Sequence, residues 1–196
     1  DRRIMMTAER KTVTLPSGKT FEAWTYNGMT PGPELRFKQG ELIEVTLSNK
    51  DIDEGVTIHW HGLDVPNAED GVAGATQDAV MPGQSHTYRF RAEQVGTFWY
   101  HSHQHSLEAV NKGLFGALIV EPADDAADPA AGSELDGGDA GGKEAGNDDS
   151  NPPNADKRLK QDFTVISHLW EGTFMIGDTA GIRRETAAPG TEVTLR

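Results

Sequence analysis

Cysteine is absent from this 196-residue chain. No disulfide can therefore report the redox compartment, and no thiolate is on hand to ligate a metal. Basic residues are scarce: 18 lysines and arginines against 31 aspartates and glutamates leave a formal net charge of −13. That balance argues against nucleic acid as a partner, because a phosphate backbone calls for a basic surface. Long apolar runs are also missing, which excludes a membrane span and a signal-like segment at the start. The expectation is a soluble chain in mature or trimmed form, long enough for one domain and at most two.

What the chain does have is histidine in a repeated arrangement. Thr57-Ile58-His59-Trp60-His61-Gly62 is answered by Phe98-Trp99-Tyr100-His101-Ser102-His103. In a β-strand residues i and i+2 share a face. His59 and His61 therefore project together while Trp60 turns away, and His101 and His103 do the same around Ser102. A lone His-X-His is often just a polar strand face. Two copies set among Ile58, Trp60, Phe98, Trp99 and Tyr100 do not fit a solvated surface. On neighbouring strands they would gather four imidazoles at one edge of a barrel, a donor set suited to copper, zinc, iron or nickel.

The surrounding sequence reads as short strands with turns between them. Strand patterns fall at residues 11–15, 20–26, 34–37, 42–47, 56–60, 85–90, 97–101 and 117–120. Pro16-Ser17-Gly18, the Gly/Pro-rich residues 27–33 and Lys38-Gln39-Gly40 punctuate them. Many short strands with turn signals indicate an all-β sandwich or barrel. One helix is predicted over 106–112, capped by Ser106 and ended by Gly113.

At this point a family resemblance enters. His59-Trp60-His61-Gly62-Leu63, Asp70-Gly71, Thr76-Gln77, Pro82-Gly83-Gln84 and Trp99-Tyr100-His101-Ser102-His103 resemble the first cupredoxin domain of a multicopper oxidase. Trp24-Thr25-Tyr26-Asn27-Gly28 with Pro31-Gly32-Pro33 before them, and Gly113-Leu114-Phe115-Gly116 after them, extend the likeness over residues 4–122. The resemblance implies a cupredoxin-like Greek-key fold and copper as cofactor, with His59 on the type 2 ion and His61, His101 and His103 on the type 3 pair. It also implies dioxygen as electron acceptor and a phenol or a metal ion as reducing substrate. The expected setting is extracellular, periplasmic or at the cell surface. Two-domain relatives build the cluster between subunits of a trimer and three-domain relatives within one chain, so the resemblance leaves a homo-oligomer open.

Asp70 is by default the first residue of an Asp-Gly turn. In relatives an acid nine residues after the second histidine hydrogen-bonds through water towards the type 2 copper, so the resemblance makes Asp70 a candidate proton relay. His105 reads as exposed or as lying behind the ligands, His86 as solvent-facing, and His168 as structural.

Between Ala123 and Asn154 the composition changes: nine acidic residues stand against Lys143 alone, among Gly, Ala, Asn and Pro. Such a stretch cannot bury enough apolar surface to fold, so residues 123–157 are predicted to be a disordered linker. An acidic patch recruiting copper ions is the weaker reading, because carboxylates on a mobile chain bind weakly. From Phe163 to Trp170 a strand pattern returns, with another at 191–195. Residues 158–196 resemble the opening of a second cupredoxin domain, too short to fold unaided, which suggests a truncated protein. The blue-copper site of such enzymes takes a cysteine thiolate with two histidines, and the family's remaining cluster histidines lie in C-terminal motifs missing here. The chain alone is therefore expected to be inactive.

Three other classes compete. A copper-binding cupredoxin acting as carrier or store would fit the lack of cysteine, although two buried histidine pairs fit a cluster better. A zinc hydrolase of metallo-β-lactamase type lacks its Asp in His101-Ser102-His103-Gln104-His105 and its alternating helices. A purely structural sandwich leaves the histidines unexplained.

Overall fold

A computed structural model of the chain describes residues 1–14, 18–123, 160–170, 173–176, 179–180 and 192–196. Its first part is the all-β sandwich expected from the sequence. One sheet has the order β2-β1-β4-β6, built from β1 (Arg2–Thr14), β2 (Thr20–Tyr26), β4 (Leu42–Asn49) and β6 (Ser85–Arg91). The other has the order β3-β8-β7-β5, built from β3 (Leu35–Lys38), β5 (His59–His61), β7 (Gly96–His101) and β8 (Phe115–Glu121). The β1–β4 and β3–β8 pairs are parallel and the remaining neighbours antiparallel.

The alternation expected of a half-buried strand is clearest in β4, where Ile43, Val45, Leu47 and Asn49 point inward. Ile43, Val45 and Leu47 join Met6, Trp24, Tyr26, Tyr88 and Phe90 from their own sheet and Leu35, Phe37, Trp60, Tyr100, Leu118 and Val120 from the other in one core. Trp60 lies at the centre, with its ring 5.5 Å from Tyr88, 4.8 Å from Phe90 and 6.4 Å from Tyr100. Room for Tyr100 is made by Gly116, where an added Cβ would lie 2.3 Å from the phenol oxygen.

Several elements depart from the sequence expectation. β1 begins at Arg2 rather than at residue 11, because Arg2 to Ala8 pair with β4 before Ala8 to Thr14 pair with β2. The charged residues around Met6 and Ala8 conceal that run, of which only those two are buried. The strand expected at 56–60 is the shorter β5, and Val56 instead makes an isolated bridge to Val80. The helix, α1 (Ser106–Lys112), has the predicted bounds, but its N-cap is His105 in a left-handed conformation (φ 46°), with Ser106 the first helical residue. Gly113 ends it at φ 117°.

The strand expected at 163–170 is interrupted. β9 (Lys160–Phe163) pairs in parallel with β13 (Glu192–Leu195), while β10 (Ser167–Trp170), β11 (Thr173–Ile176) and β12 (Thr179–Ala180) form a small antiparallel sheet. Met175 packs on Ala23, and Arg36 on β3 reaches Asp162 at 3.0 Å and Glu121 at 3.1 Å. Burial would raise the Asp162 carboxyl, but hydrogen bonds from Arg196 and Arg36 outweigh it and hold the group below its ordinary range. The expected linker falls almost wholly on residues 124–159, outside the described residues. Among the described residues no helix is long and apolar enough to cross a membrane.

Candidate metal centre

The register of β5 against β7 sets His59 opposite His101, Trp60 opposite Tyr100 and His61 opposite Trp99. Side-chain alternation then gives the two strands unlike faces. Trp60 and Tyr100 point into the core, and His59, His61, Trp99 and His101 share the other side.

The inward residues anchor the strands through their polar ends. Trp60 Nε1–H donates to the Glu69 carbonyl (3.1 Å) and the Tyr100 hydroxyl to the Pro33 carbonyl (2.6 Å). The Tyr26 hydroxyl donates to the Thr57 carbonyl (2.7 Å), and Ile58 N–H donates to the Tyr88 hydroxyl (2.9 Å). The backbone leading into His59 is thus gripped from inside the core.

On the opposite side a nitrogen from each of His59, His61 and His101 lies within 4.8 Å of the others. His101 is 4 % exposed, His59 half-buried and His61 exposed. His59 Nδ1–H donates to the Asp70 carbonyl at 2.7 Å, and His101 Nδ1–H to the Ser102 carbonyl at 3.0 Å. Carbonyls accept only, so both rings carry their proton on Nδ1 and offer the Nε2 lone pair. Partners of this kind commonly fix the tautomer of metal-ligating imidazoles. His61 Nδ1 lies 3.2 Å from His101 Nε2. Two nitrogens each about 2 Å from a common ion would stand about that far apart at a near-tetrahedral angle.

Burial holds His101 in its neutral form. Its conjugate acid is pushed down from 6.5 to about 4, with the neighbouring His59, His61 and His103 adding to the effect against the Ser102 hydrogen bond. A neutral imidazole is the form that binds metal. Three imidazoles with converging nitrogens make a donor set that fits copper.

His103 joins this group less closely. β7 ends at His101, since the next amide, Ser102 N–H, donates to Leu114 O (3.1 Å) and His103 N–H to Thr57 Oγ1 (3.0 Å). The His103 ring still lies 5.2 Å from His59 and 6.0 Å from His101. The structure brings all four rings together, with nitrogens of His59, His61 and His101 forming the tighter set.

Asp70 follows a 3-10 turn over Asn67–Glu69. Its backbone carbonyl is the shorter contact to His59, and carboxylate Oδ1 stands 3.3 Å from the same nitrogen. The chain passes so close here that a Cβ on Gly71 (φ +72°) would lie 1.8 Å from the Ile58 carbonyl oxygen. Asp-Gly at 70–71 is thus both a turn and a brace for a candidate ligand. The roles of the Ser102 carbonyl, the Thr57 hydroxyl and the Trp99 ring are not legible from spacing; Trp99 alone left a signal, as an aromatic at i−2 from His101.

The remaining histidines lie elsewhere. His105 is exposed. His86, expected to face solvent, is partly buried with its ring 4.6 Å from Tyr88, and its Nε2 is buried without a hydrogen-bond partner. Its position on β6 beside a core tyrosine draws it in. His168 lies in β10, but its side chain falls outside what the structure describes.

Known proteins resemble this chain over the same sandwich. A profile of the multicopper oxidase family matches residues 7–125. Laccase-2 of Botryotinia fuckeliana is 42% identical over 121 residues, which cover 61% of this chain and 20% of that protein. A copper resistance protein A homolog of Pseudomonas syringae pv. tomato is 39% identical over 105 residues, 54% of this chain and 17% of the relative. Among solved structures, a blue copper oxidase from Nitrosomonas europaea superposes with a TM-score of 0.67 at 26% identity, covering 90% of this chain and 53% of that one. The aligned region thus spans about a fifth of these curated relatives.

Proposed function

The chain belongs to the multicopper oxidase family, and from that premise we propose that residues 1–122 form a cupredoxin-like domain supplying half of a trinuclear copper site. His59 is assigned to the type 2 ion and His61, His101 and His103 to the type 3 pair, following the family motif residue by residue. The observation that carries this reading is the convergence of His59, His61 and His101 nitrogens within 4.8 Å.

Bound copper would supply the one-electron steps that couple substrate oxidation to the reduction of dioxygen to water. The protein's own part is to orient and shield. The Asp70 and Ser102 carbonyls turn the Nε2 atoms of His59 and His101 to the metal side. Trp60 and Tyr100 close the floor beneath them. Asp70, with its carboxylate near His59, is the candidate to hold a proton for dioxygen reduction.

The reducing substrate is a phenol or a metal ion, and the working compartment is extracellular, periplasmic or at the cell surface. Residues 123–157 are a linker and 158–196 open a second cupredoxin domain, a reading supported by strands β9 to β13. Assembly into a trimer would follow if the protein is of the two-domain type.

The chain contains no cysteine, so it provides no type 1 site and no fast electron entry. Copper-loaded protein is expected to bind the metal weakly, stay colourless or faintly coloured, and consume no oxygen with a phenolic donor. Metal analysis and an oxygen electrode test this, with His101→Ala losing copper. Zinc uptake in preference to copper, or turnover abolished by His101→Ala, would overturn the half-site reading.

A further inference from the structure

Of the three converging imidazoles, His59 and His101 each have a backbone carbonyl on Nδ1. His61 has none: among the described residues its hydrogen-bond contact is the His101 ring itself. It is also the exposed member of the three, so neither packing nor a carbonyl dictates where its ring points. What it does have is Trp99. The strand register sets Trp99 opposite His61, and alternation along β7 sets it on the same face as His101. Its indole lies 4.8 Å from the His61 ring at 37° and 4.2 Å from the His101 ring at 25°. One indole therefore covers both rings whose nitrogens approach to 3.2 Å.

We propose that Trp99 is a positioning residue, an aromatic clamp that holds the His61 and His101 imidazoles at ligand spacing before a metal arrives. The proposal rests on the copper reading of the site, and it assigns to a ring face the task that carbonyls perform for His59 and His101. A flat, rigid side chain suits this, because offset ring stacking fixes direction as well as distance. In the metal-free protein a His61 Nδ1–H bond to His101 Nε2 spans this approach, a bond that copper would replace with release of its proton, and the indole blocks the rotation that would part the rings.

The test uses the full 196-residue chain. Long-range 1H–15N spectra of the metal-free wild type at neutral pH should give His61 as one tautomer, with Overhauser contacts from the indole to both imidazoles. In Trp99→Leu the His61 ring should average between tautomers while His59 and His101 keep theirs. Trp99→Tyr should restore the wild-type pattern. Competition titration with copper(II) against a chelator should show Trp99→Leu weaker by about tenfold or more, the range for loss of a ligand-orienting group, and Trp99→Tyr close to wild type. Urea midpoints confirm that each variant is folded. Unchanged His61 signals and unchanged copper affinity in Trp99→Leu would overturn the clamp and leave the copper reading standing. A wild type that takes up no copper would overturn the reading beneath it. Should Trp99→Leu fail to fold, missing indole–imidazole contacts in the wild type would by themselves overturn the proposal.

Discussion

The two faces of the β5–β7 pair are built from alternate residues of the same strands, yet they are held by different forces. On the inner face Trp60 and Tyr100 are fully buried, and dispersion and burial fix them, with one hydrogen bond apiece at the polar tip. On the outer face His59, His61 and His101 are fixed by carbonyls and ring contacts. The inner face carries the packing and the outer face the candidate ligands, so damage to one should be largely separable from damage to the other.

The largest expected effect tests that separation directly. Trp60→Ala removes the central core ring and should cost about 3–5 kcal/mol of unfolding free energy. His61→Ala, one residue on and exposed, should change stability by no more than about 0.5 kcal/mol while weakening copper binding. Urea unfolding and copper titration on both variants check the pair. Comparable losses of stability would collapse the distinction between the faces.

A smaller effect appears with pH in the metal-free protein. The folded state pushes His101 down from 6.5 to about 4, so between these values the unfolded chain binds the proton more readily. Stability is therefore complete above pH 6.5 and falls as the pH drops towards 4, by up to about 3 kcal/mol from this group. Carboxylates such as Asp162, lowered from 3.8, titrate below that window. Unfolding midpoints measured from pH 7 to 4 should flatten in His101→Gln, and an unaltered slope would show that the outer face does not couple to folding.

The smallest effect concerns Asp70. Because its backbone carbonyl braces His59, Asp70→Asn should leave stability within about 0.5 kcal/mol and copper affinity near wild type. A large loss of copper affinity would mean that the carboxylate, not the main chain, orients the ring.

The sandwich was readable from strand alternation and turn residues. Period-2 spacing gave His59 and His61 a shared face, but β7 ends at His101, so His103 reaches the other histidines from beyond the strand rather than by alternation. The long β1 was not readable. Arg2 to Ala8 become a strand through pairing with β4, a tertiary contact that leaves little apolar periodicity in the sequence. The braces were hidden for a related reason. The Asp70 and Ser102 carbonyls act through the main chain, so no side-chain type marks them. The close approach at Gly71 likewise emerges only when residues 58 and 71 meet in space.

Register also makes strand length a matter of parity. His59 faces His101 and Trp60 faces Tyr100, so one residue inserted in β7 ahead of Tyr100 would exchange an imidazole for a phenol on both sides of the sheet at once. Two inserted residues would restore the faces but carry a ligand about 6.5 Å along the strand, farther than the 4.8 Å within which the three nitrogens now lie. Loop lengths around these strands can vary without this effect, but the number of residues between core anchor and candidate ligand cannot.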